Sequence, residues 1–290
     1  MHINSFSSAV NPLLLATNLE EAGLGNRMRF TLSALSLSKA VGREFAYFWP
    51  KTRLFAPSLS QLWKFHEREI SLQESIEIAK SLPSIPYVED LPEDCSLLPI
   101  WHFSAHDALT LPEDAISWGQ QLRSLSPVQE ISDRISNFFN QYLIGEPYVG
   151  IMIRSHSLAH PITLEASPLE WYFKRMAELN AANPGVKFFI SSDTPQAQDQ
   201  ILQMFPNSCT QIDKGEYNST EGLISSIVDL YLLASSSYML SPYYSSFPIM
   251  AMKLCRQIIT NEHSQNSFEV HLDITKVPLV KDPLFPSNRL

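Results

Sequence analysis

Apolar residues along the 290-residue chain alternate between short continuous runs and helical spacing. Residues 13–16 form the first run, a glycine-bearing loop follows at 22–27, and residues 28–41 place apolar side chains on one helical face. Gly42 then marks a helix end, and residues 44–49 form a second strand-like run before Pro50. A strand, a helix and a second strand in this order predict a βαβ unit at the start of the chain.

The second half repeats the same alternation more regularly. Strand-like runs at 148–153, 187–190, 210–212, 238–240 and 257–260 are separated by helical patterns at 168–179, 195–205 and 223–234, and by one that ends at 254. Ser167 is placed to cap the first of these helices, and Pro168 suits its first turn. Alternating strands and helices predict a doubly wound sheet.

The region between these halves is less regular. Residues 59–66 and 72–82 have helical patterns, residues 97–103 resemble a strand, and a long amphipathic helix is predicted to open at Pro127. A chain of 290 residues is longer than one hydrophobic core usually holds. We therefore predict two domains, residues 1–144 and 145–290, with the junction after this amphipathic helix.

Charge and composition narrow the classes of function. The formal net charge of −9 argues against a general nucleic-acid binder, which needs a concentrated basic face. No apolar run approaches the length of a membrane span, and residues 1–18 lack the segments of a secretory signal, so a cytoplasmic protein is predicted. The three cysteines lack metal-ligand spacing, and neither an HExxH motif nor an Asp-x-Asp pair occurs, so no metal site is predicted.

The strand-like run at 148–153 leads directly into Arg154 and His156. Its apolar, β-branched composition is typical of a central strand in a parallel sheet. Ligands of open α/β sheets bind beyond the carboxyl ends of such strands, and a guanidinium group fits phosphate oxygens. Arg154 is therefore a candidate anion-binding residue, and a structural partnership with a carboxylate is the alternative.

Three further places could carry chemistry. The glycines at 23 and 25 either let a ligand approach the backbone between a strand and a helix or simply form a tight turn. Asp229 lies in a strongly apolar helix and needs donors, either from a ligand such as guanine or from within the fold. Ser245 and Ser246 stand before a helix, where they would cap it or contribute to an anion site.

Taken in order, these segments resemble the fucosyltransferase superfamily, which includes α1,6-fucosyltransferases, bacterial nodulation-factor fucosyltransferases and protein O-fucosyltransferases. The resemblance covers about residues 22–254. It is carried by Gly23-Leu-Gly-Asn-Arg-Met28, Val149-Gly-Ile-Met-Ile-Arg154, Phe188-Phe-Ile-Ser-Ser-Asp-Thr194, and Ile227-Val-Asp-Leu-Tyr-Leu-Leu-Ala234 with Tyr238-Met-Leu-Ser-Pro-Tyr-Tyr-Ser-Ser-Phe247.

The resemblance implies an α/β fold of the GT-B type, with two Rossmann-like domains facing across a cleft and the donor bound mainly by the C-terminal one. It implies a bacterial-type, metal-independent and inverting glycosyltransferase that transfers a sugar, most often L-fucose, from a GDP-sugar to a glycan or related acceptor without a cofactor. The implied donor contacts are Gly23, Gly25, Asn26, Arg154, Asp193, Asp229, Tyr244, Ser245, Ser246 and Phe247.

The resemblance also implies individual roles. Arg154 would hold the β-phosphate, Asp229 would read the guanine edge, and Asn26 would face the reacting centre from the N-terminal domain. Glu165 is the first candidate for the general base, because in the α1,6 enzymes a glutamate follows the arginine before a helix that opens with proline. His156 is the second candidate.

The chain departs from the family at two points beside the arginine. Met152 stands where the family usually has histidine, and Ser155, His156 and Ser157 replace a region that often holds a second arginine and an aspartate. A transferase for a different sugar, or a nucleotide-sugar-binding protein without the chemistry, is therefore the alternative function. An NAD-dependent oxidoreductase fits less well, because no third glycine follows Gly25.

Overall fold

The computed structural model describes residues 12–52, 55–266 and 273–289. The chain divides into two compact units: Met1–Thr52 with His66–Gln121, and Arg53–Phe65 with Leu122–Leu290. Each unit contains one sheet, and all strand pairs within the two sheets are parallel. The predicted α/β class with two parallel sheets is confirmed.

The first unit is built on a four-stranded sheet with the order β3-β2-β1-β4. Its elements are β1 (Leu13–Thr17), α1 (Leu24–Ala40), β2 (Glu44–Phe48), β3 (Arg68–Glu69), α2 (Leu72–Ser81) and β4 (Ile100–Phe103). The predicted βαβ unit is confirmed. Gly42 follows α1 in the left-handed conformation with φ of 70°, which is the usual way for a glycine to end a helix.

The second unit is built on a five-stranded sheet with the order β7-β6-β5-β8-β9. The strands β5 to β7 follow one another toward one edge, and β8 and β9 toward the other, so the strand order switches between β5 and β8. Helix α3 (Trp118–Ser124) spans the division between the units. The remaining elements are α4 (Gln129–Tyr142), β5 (Tyr148–Ile153), α5 (Pro161–Ala166), α6 (Leu169–Ala182), β6 (Lys187–Ser192), α7 (Pro195–Met204), β7 (Ser208–Thr210), α8 (Thr220–Ser235), β8 (Tyr238–Leu240), α9 (Ser246–Leu254) and β9 (Thr260–Glu262).

Both faces of β5 are covered, as a doubly wound sheet requires. Val149, Ile151 and Ile153 are buried against side chains of α6 and α7. On the other face Gly150 meets α8, where an added Cβ atom would lie 2.9 Å from the side chain of Leu233. The absence of a side chain at position 150 therefore lets α8 approach the sheet closely.

The division of the chain falls earlier than the boundary predicted between residues 144 and 145. Helix α4 packs against α8, and Phe138 meets Phe189 of β6 edge to face with ring centroids 5.5 Å apart. The segment 55–65 also belongs to the second unit, because the buried indole of Trp63 donates to the hydroxyl of Tyr231 at 3.3 Å. An amphipathic pattern shows that a helix covers a core but does not show which core it covers.

Several predicted elements differ in their bounds or in kind. Of the helical pattern at 59–66, one 3₁₀ turn forms at Leu59–Gln61. Strand β9 begins where the predicted run 257–260 ends, and α5 was not predicted. Ser167 does not cap α6, because Pro168 stands at its N-cap instead of in its first turn, and the Oγ of Ser167 accepts the backbone N–H of Tyr243 at 2.8 Å.

Arg27 is fully buried in the first unit, although arginine is rarely buried. Its Nε donates to the carbonyl of Ala22 at 2.7 Å, its Nη1 to that of Pro50 at 2.7 Å, and its Nη2 to that of Glu20 at 3.0 Å. Desolvation lowers the pKa of Arg27 to about 10. These bonds tie the loop between β1 and α1 to the end of β2.

We expect Arg27→Ala to lower the free energy of unfolding by about 3 kcal/mol or more, because three carbonyl groups lose their donor. Arg29→Ala is the matched control. It pairs with Asp107, whose side chain is 73% exposed, and donates to one exposed carbonyl, that of His106 at 2.9 Å, so the loss should be well below that of Arg27→Ala. Urea denaturation measures both values, and equal losses would contradict a structural role for Arg27.

Candidate active site

Arg154 directly follows β5, beside the point where the strand order reverses. Ligand sites of open α/β sheets lie at this edge and at this switch point. Ile153 pairs with Ser192 of the parallel strand β6, so the two strands end side by side and Arg154 and Asp193 emerge as neighbours. Strand register therefore brings together two of the residues that the sequence indicated.

Asp193 organises the loop that follows β5. Its Oδ1 accepts the backbone N–H groups of Ser155 at 2.7 Å and His156 at 3.1 Å. Its Oδ2 lies 3.0 Å from Nε of Arg154, as an ion pair without the alignment of a hydrogen bond. The side chains of Arg154 and Asp193 are 27% and 11% exposed, so solvent only partly screens their attraction. The carboxylate thus holds the guanidinium at its Nε edge.

Tyr217, which the sequence analysis did not single out, completes the surroundings of Arg154. Its hydroxyl accepts a hydrogen bond from Nη2 of Arg154 at 2.9 Å. Its ring stacks on the imidazole of His156, with ring centroids 4.0 Å apart and planes 8° from parallel. The sequence could have indicated Tyr217 only by its position, since it lies in the loop between β7 and α8, at the carboxyl edge of the sheet.

The two candidate bases differ in their surroundings. Nδ1 of His156 accepts the backbone N–H of Leu158 at 3.1 Å, so the neutral imidazole carries its proton on Nε2. Glu165 lies in α5 rather than in a loop, is exposed, and forms no hydrogen bond or ion pair with the residues that the structure describes. His160 is the N-cap of α5, where its Nδ1 accepts the backbone N–H of Ile162 at 3.2 Å.

Asp229 is 3% exposed, and both of its oxygens have partners within the chain. Its Oδ1 accepts a hydrogen bond from the side-chain amide of Gln211 at 2.6 Å, and its Oδ2 pairs with Nζ of Lys214 at 2.8 Å. These are donors from within the fold, as the alternative interpretation expected. A guanine base could engage Asp229 only after Lys214 or Gln211 moves.

The loop after β8 is held by the helices that follow β5. Tyr244 adopts a positive φ of 56°, and its carbonyl accepts the hydroxyl of Thr163 at 2.9 Å. Ser245 is the N-cap of α9 without a capping side-chain bond, and neither its hydroxyl nor that of Ser246 bonds to the described part of the chain. Phe247 is half-buried in the first turn. The start of α9 therefore offers N–H groups and hydroxyls to an anion.

The glycine loop of the first unit has space beside its backbone. Gly23 is the N-cap of α1 with φ of −72°, and an added Cβ atom would meet no other atom within 4 Å. Gly25 is buried in the first turn, and Asn26 is half-buried. The amide of Asn26 forms no hydrogen bond with the residues whose positions are described. Neither a positive φ nor crowding therefore explains the glycine at position 23.

The described residues contain neither a metal-binding cluster nor a membrane-spanning helix. Within residues 12–52, 55–266 and 273–289, no cluster of three or more His, Cys, Asp or Glu side chains has a geometry that could hold a metal ion. In the same ranges, no helix combines the length and the apolar character needed to cross a membrane.

Two substitutions separate the roles of Asp193. Asp193→Ala removes the acceptor of two backbone N–H groups and the partner of Arg154, and we expect a loss of about 2 kcal/mol in the free energy of unfolding. Asp193→Asn keeps one oxygen for the N–H groups, and its loss should be smaller. Urea denaturation compares the two, and an equal or larger loss for Asp193→Asn would show that the charge, not the loop contact, dominates.

By structure, the chain is similar to solved fucosyltransferases. It matches NodZ alpha-1,6-fucosyltransferase soaked with GDP-fucose with a TM-score of 0.59 and 18% identity, over 84% of this chain and 92% of that one. It matches POFUT1 in complex with GDP with a TM-score of 0.51 and 13% identity, over 88% and 99%. It matches a mutant of FUT1 from Arabidopsis thaliana in complex with GDP with a TM-score of 0.54 and 10% identity, over 87% of this chain and 70% of that one.

No protein-family model and no curated protein matches the chain by sequence. At identities of 10–18%, the likeness to the solved structures establishes a shared fold. The chain therefore has the GT-B fold of these fucosyltransferases, which confirms the fold that the resemblance in its sequence implied.

Proposed function

We propose that the chain is a glycosyltransferase that transfers a sugar from a GDP-sugar to a glycan or related acceptor. L-fucose is the first candidate for that sugar. The observation that carries the proposal is Arg154 at the switch point of the second sheet, oriented by Asp193 and Tyr217. Solved structures of the same fold are fucosyltransferases, one soaked with GDP-fucose and others in complex with GDP. We also propose that the transfer inverts the configuration at the anomeric carbon of the sugar and needs neither a metal ion nor a cofactor. The proposed location of the protein is the cytoplasm.

Arg154 would bind the diphosphate and stabilise the charge that develops on GDP as the bond to the sugar breaks. A guanidinium has five N–H groups, of which Nε faces Asp193 and one on Nη2 bonds to Tyr217. The other three form no hydrogen bond with the described residues and are available to a ligand. One charge-assisted contact contributes about 1.5–3 kcal/mol to binding, and more in the transition state.

The remaining parts of the donor would meet the other candidate residues. The start of α9, with Ser245 and Ser246, supports a phosphate contact, and Asp229 would read the guanine edge in exchange for Lys214. In the first unit, an added Cβ atom at Gly23 would meet no other atom within 4 Å, Gly25 is buried in the first turn of α1, and the amide of Asn26 forms no hydrogen bond with the described residues. These assignments rest on the resemblance and on the absence of competing contacts at Asn26, Ser245 and Ser246 among the described residues.

Glu165 is the better candidate for the base that takes the proton of the attacking acceptor hydroxyl. Its carboxylate is exposed and has no partner among the described residues. His156 has an occupied Nδ1 and therefore a protonated Nε2, which makes its neutral ring a hydrogen-bond donor at the open nitrogen. In that form His156 suits a contact with a phosphate oxygen rather than proton abstraction.

The second candidate function is a nucleotide-sugar-binding protein without transfer, or a transferase for another sugar. Met152 favours it, because the family usually has histidine at this place and a thioether neither donates a proton nor carries charge. Met152 is buried in β5. Binding of GDP without hydrolysis or transfer of GDP-fucose over a panel of acceptors would support the binding protein.

Isothermal titration with GDP, UDP and NAD tests the class of ligand. We expect the wild-type protein to bind GDP, and Arg154→Ala to weaken that binding by about ten-fold or more, because a charged contact is lost. Arg68→Ala, which removes an exposed arginine paired with Glu74 in the first unit, is the control and should leave the affinity unchanged. Binding of NAD alone, or of no nucleotide, would overturn the proposal.

Lys214→Met tests whether guanine engages Asp229. Without Lys214, guanine no longer has to displace an amine from the carboxylate of Asp229, so GDP should bind several-fold more tightly. The free energy of unfolding should fall by about 2 kcal/mol, because a buried carboxylate loses its cation. Lys187→Met, which removes a half-buried lysine paired with Glu146, is the control. Unchanged or weaker binding of GDP in Lys214→Met would place the guanine elsewhere.

A further inference from the structure

The loop that carries Tyr217 is built to a fixed shape. Asn218 adopts a positive φ of 60°, and its carbonyl accepts the backbone N–H of Ala56 at 3.4 Å. The hydroxyl of Ser219 donates to the carbonyl of Glu216 at 2.7 Å and accepts the backbone N–H of Gly222 at 3.0 Å. Tyr217 lies between these contacts, so its backbone is held on both sides.

Gly222 lets this loop fold back onto the first turn of α8. A Cβ atom at position 222 would lie 2.2 Å from the carbonyl oxygen of Glu216, which no real contact allows. Gly215 turns the chain into the loop with φ of 77°. Two glycines thus create the path along which Tyr217 is presented to the end of β5.

The guanidinium of Arg154 is held at two atoms, Nε by Asp193 and Nη2 by the hydroxyl of Tyr217. Asp193 holds Nε at one edge, and around that single contact the planar group could still rotate. The bond from Nη2 to the hydroxyl of Tyr217 removes this freedom. A guanidinium held at two points presents its remaining N–H groups in one plane, which favours a contact with phosphate oxygens because less freedom is lost on binding.

Tyr217 also fixes His156. The stacked rings hold the imidazole parallel to the phenol, while the backbone N–H of Leu158 occupies Nδ1. The protonated Nε2 of the neutral imidazole therefore has one direction. A single side chain thus sets the geometry of two of the groups that the proposed function assigns to the donor phosphates.

We infer that Tyr217 is a positioning residue of the donor site, which orients Arg154, and with it His156, toward the terminal phosphate of a nucleoside diphosphate. The inference rests on the proposed function, because it takes Arg154 as the phosphate contact. Tyr217 is assigned to act through Arg154 and not to contact the nucleobase. Its removal should therefore affect a diphosphate more than a monophosphate.

Titration of GDP and GMP against Tyr217→Phe tests the assignment. This variant keeps the ring that stacks on His156 and removes only the hydroxyl that Arg154 contacts. We expect about ten-fold weaker binding of GDP and a change of less than about two-fold for GMP. A merely structural role would weaken both nucleotides alike. Tyr142→Phe, an exposed tyrosine of α4, is the matched control and should change neither affinity.

The pair Arg154→Ala and Tyr217→Phe supplies a double-mutant cycle. If Tyr217 acts through Arg154, its substitution should have no further effect on GDP binding once Arg154 is alanine. Additive effects of the two substitutions would overturn the inference. Gly222→Ala should displace the loop and lower the ratio of GDP to GMP affinity as Tyr217→Phe does.

The outcomes for the inference and for the proposed function are distinct. GDP binding that Arg154→Ala weakens and Tyr217→Phe leaves unchanged would overturn the role of Tyr217 alone. Absence of GDP binding by the wild-type protein would overturn the proposed function and the inference together. A selective loss of GDP affinity in Tyr217→Phe, absent in the Arg154→Ala background, is the result that supports the inference.

Discussion

The close contact between α8 and β5 is the constraint on which the second unit depends. It exists because position 150 has no side chain, so that the side chain of Leu233 can lie 2.9 Å from where a Cβ atom would stand. Strand β5 ends at Arg154, whereas α8 carries Asp229 and begins just after the loop of Tyr217. The placement of one helix on one strand therefore sets the distances among the charged groups of the candidate site. A larger residue at position 150 would move all of these groups at once.

The charged groups of the site are paired within the chain, but in two different ways. Asp193 holds Arg154 from the side and leaves part of the guanidinium open, so this pairing prepares the group for an anion. Lys214 and Gln211 occupy both oxygens of Asp229, so that pairing competes with any ligand. Asp229 is buried and needs a partner, because an isolated buried charge is costly, whereas Arg154 and Asp193 are only partly buried. The site therefore contains one charged group that is oriented for a ligand and one that is already occupied.

The sequence predicted those features that depend on neighbouring residues. The apolar run of β5 and its ending at Arg154 follow from local composition, and so does the βαβ start of the first unit. Tyr217 and Lys214 could not be predicted, because they reach the site through a loop whose path depends on how α8 packs. The burial of Arg27 could not be predicted either. Its burial depends on three carbonyl groups that become neighbours only when the chain has folded.

The segment Arg53–Phe65 follows β2 in the chain but belongs to the second unit. The chain therefore passes between the units three times, after residues 52, 65 and 121, instead of through a single linker. During synthesis, Trp63 leaves the ribosome long before Tyr231, the partner of its indole. The hydrogen bond of this large aromatic residue can therefore form only after α8 has been made. All of the first unit is thus made before residue 122, whereas the second unit must take in a segment that is made before residue 66.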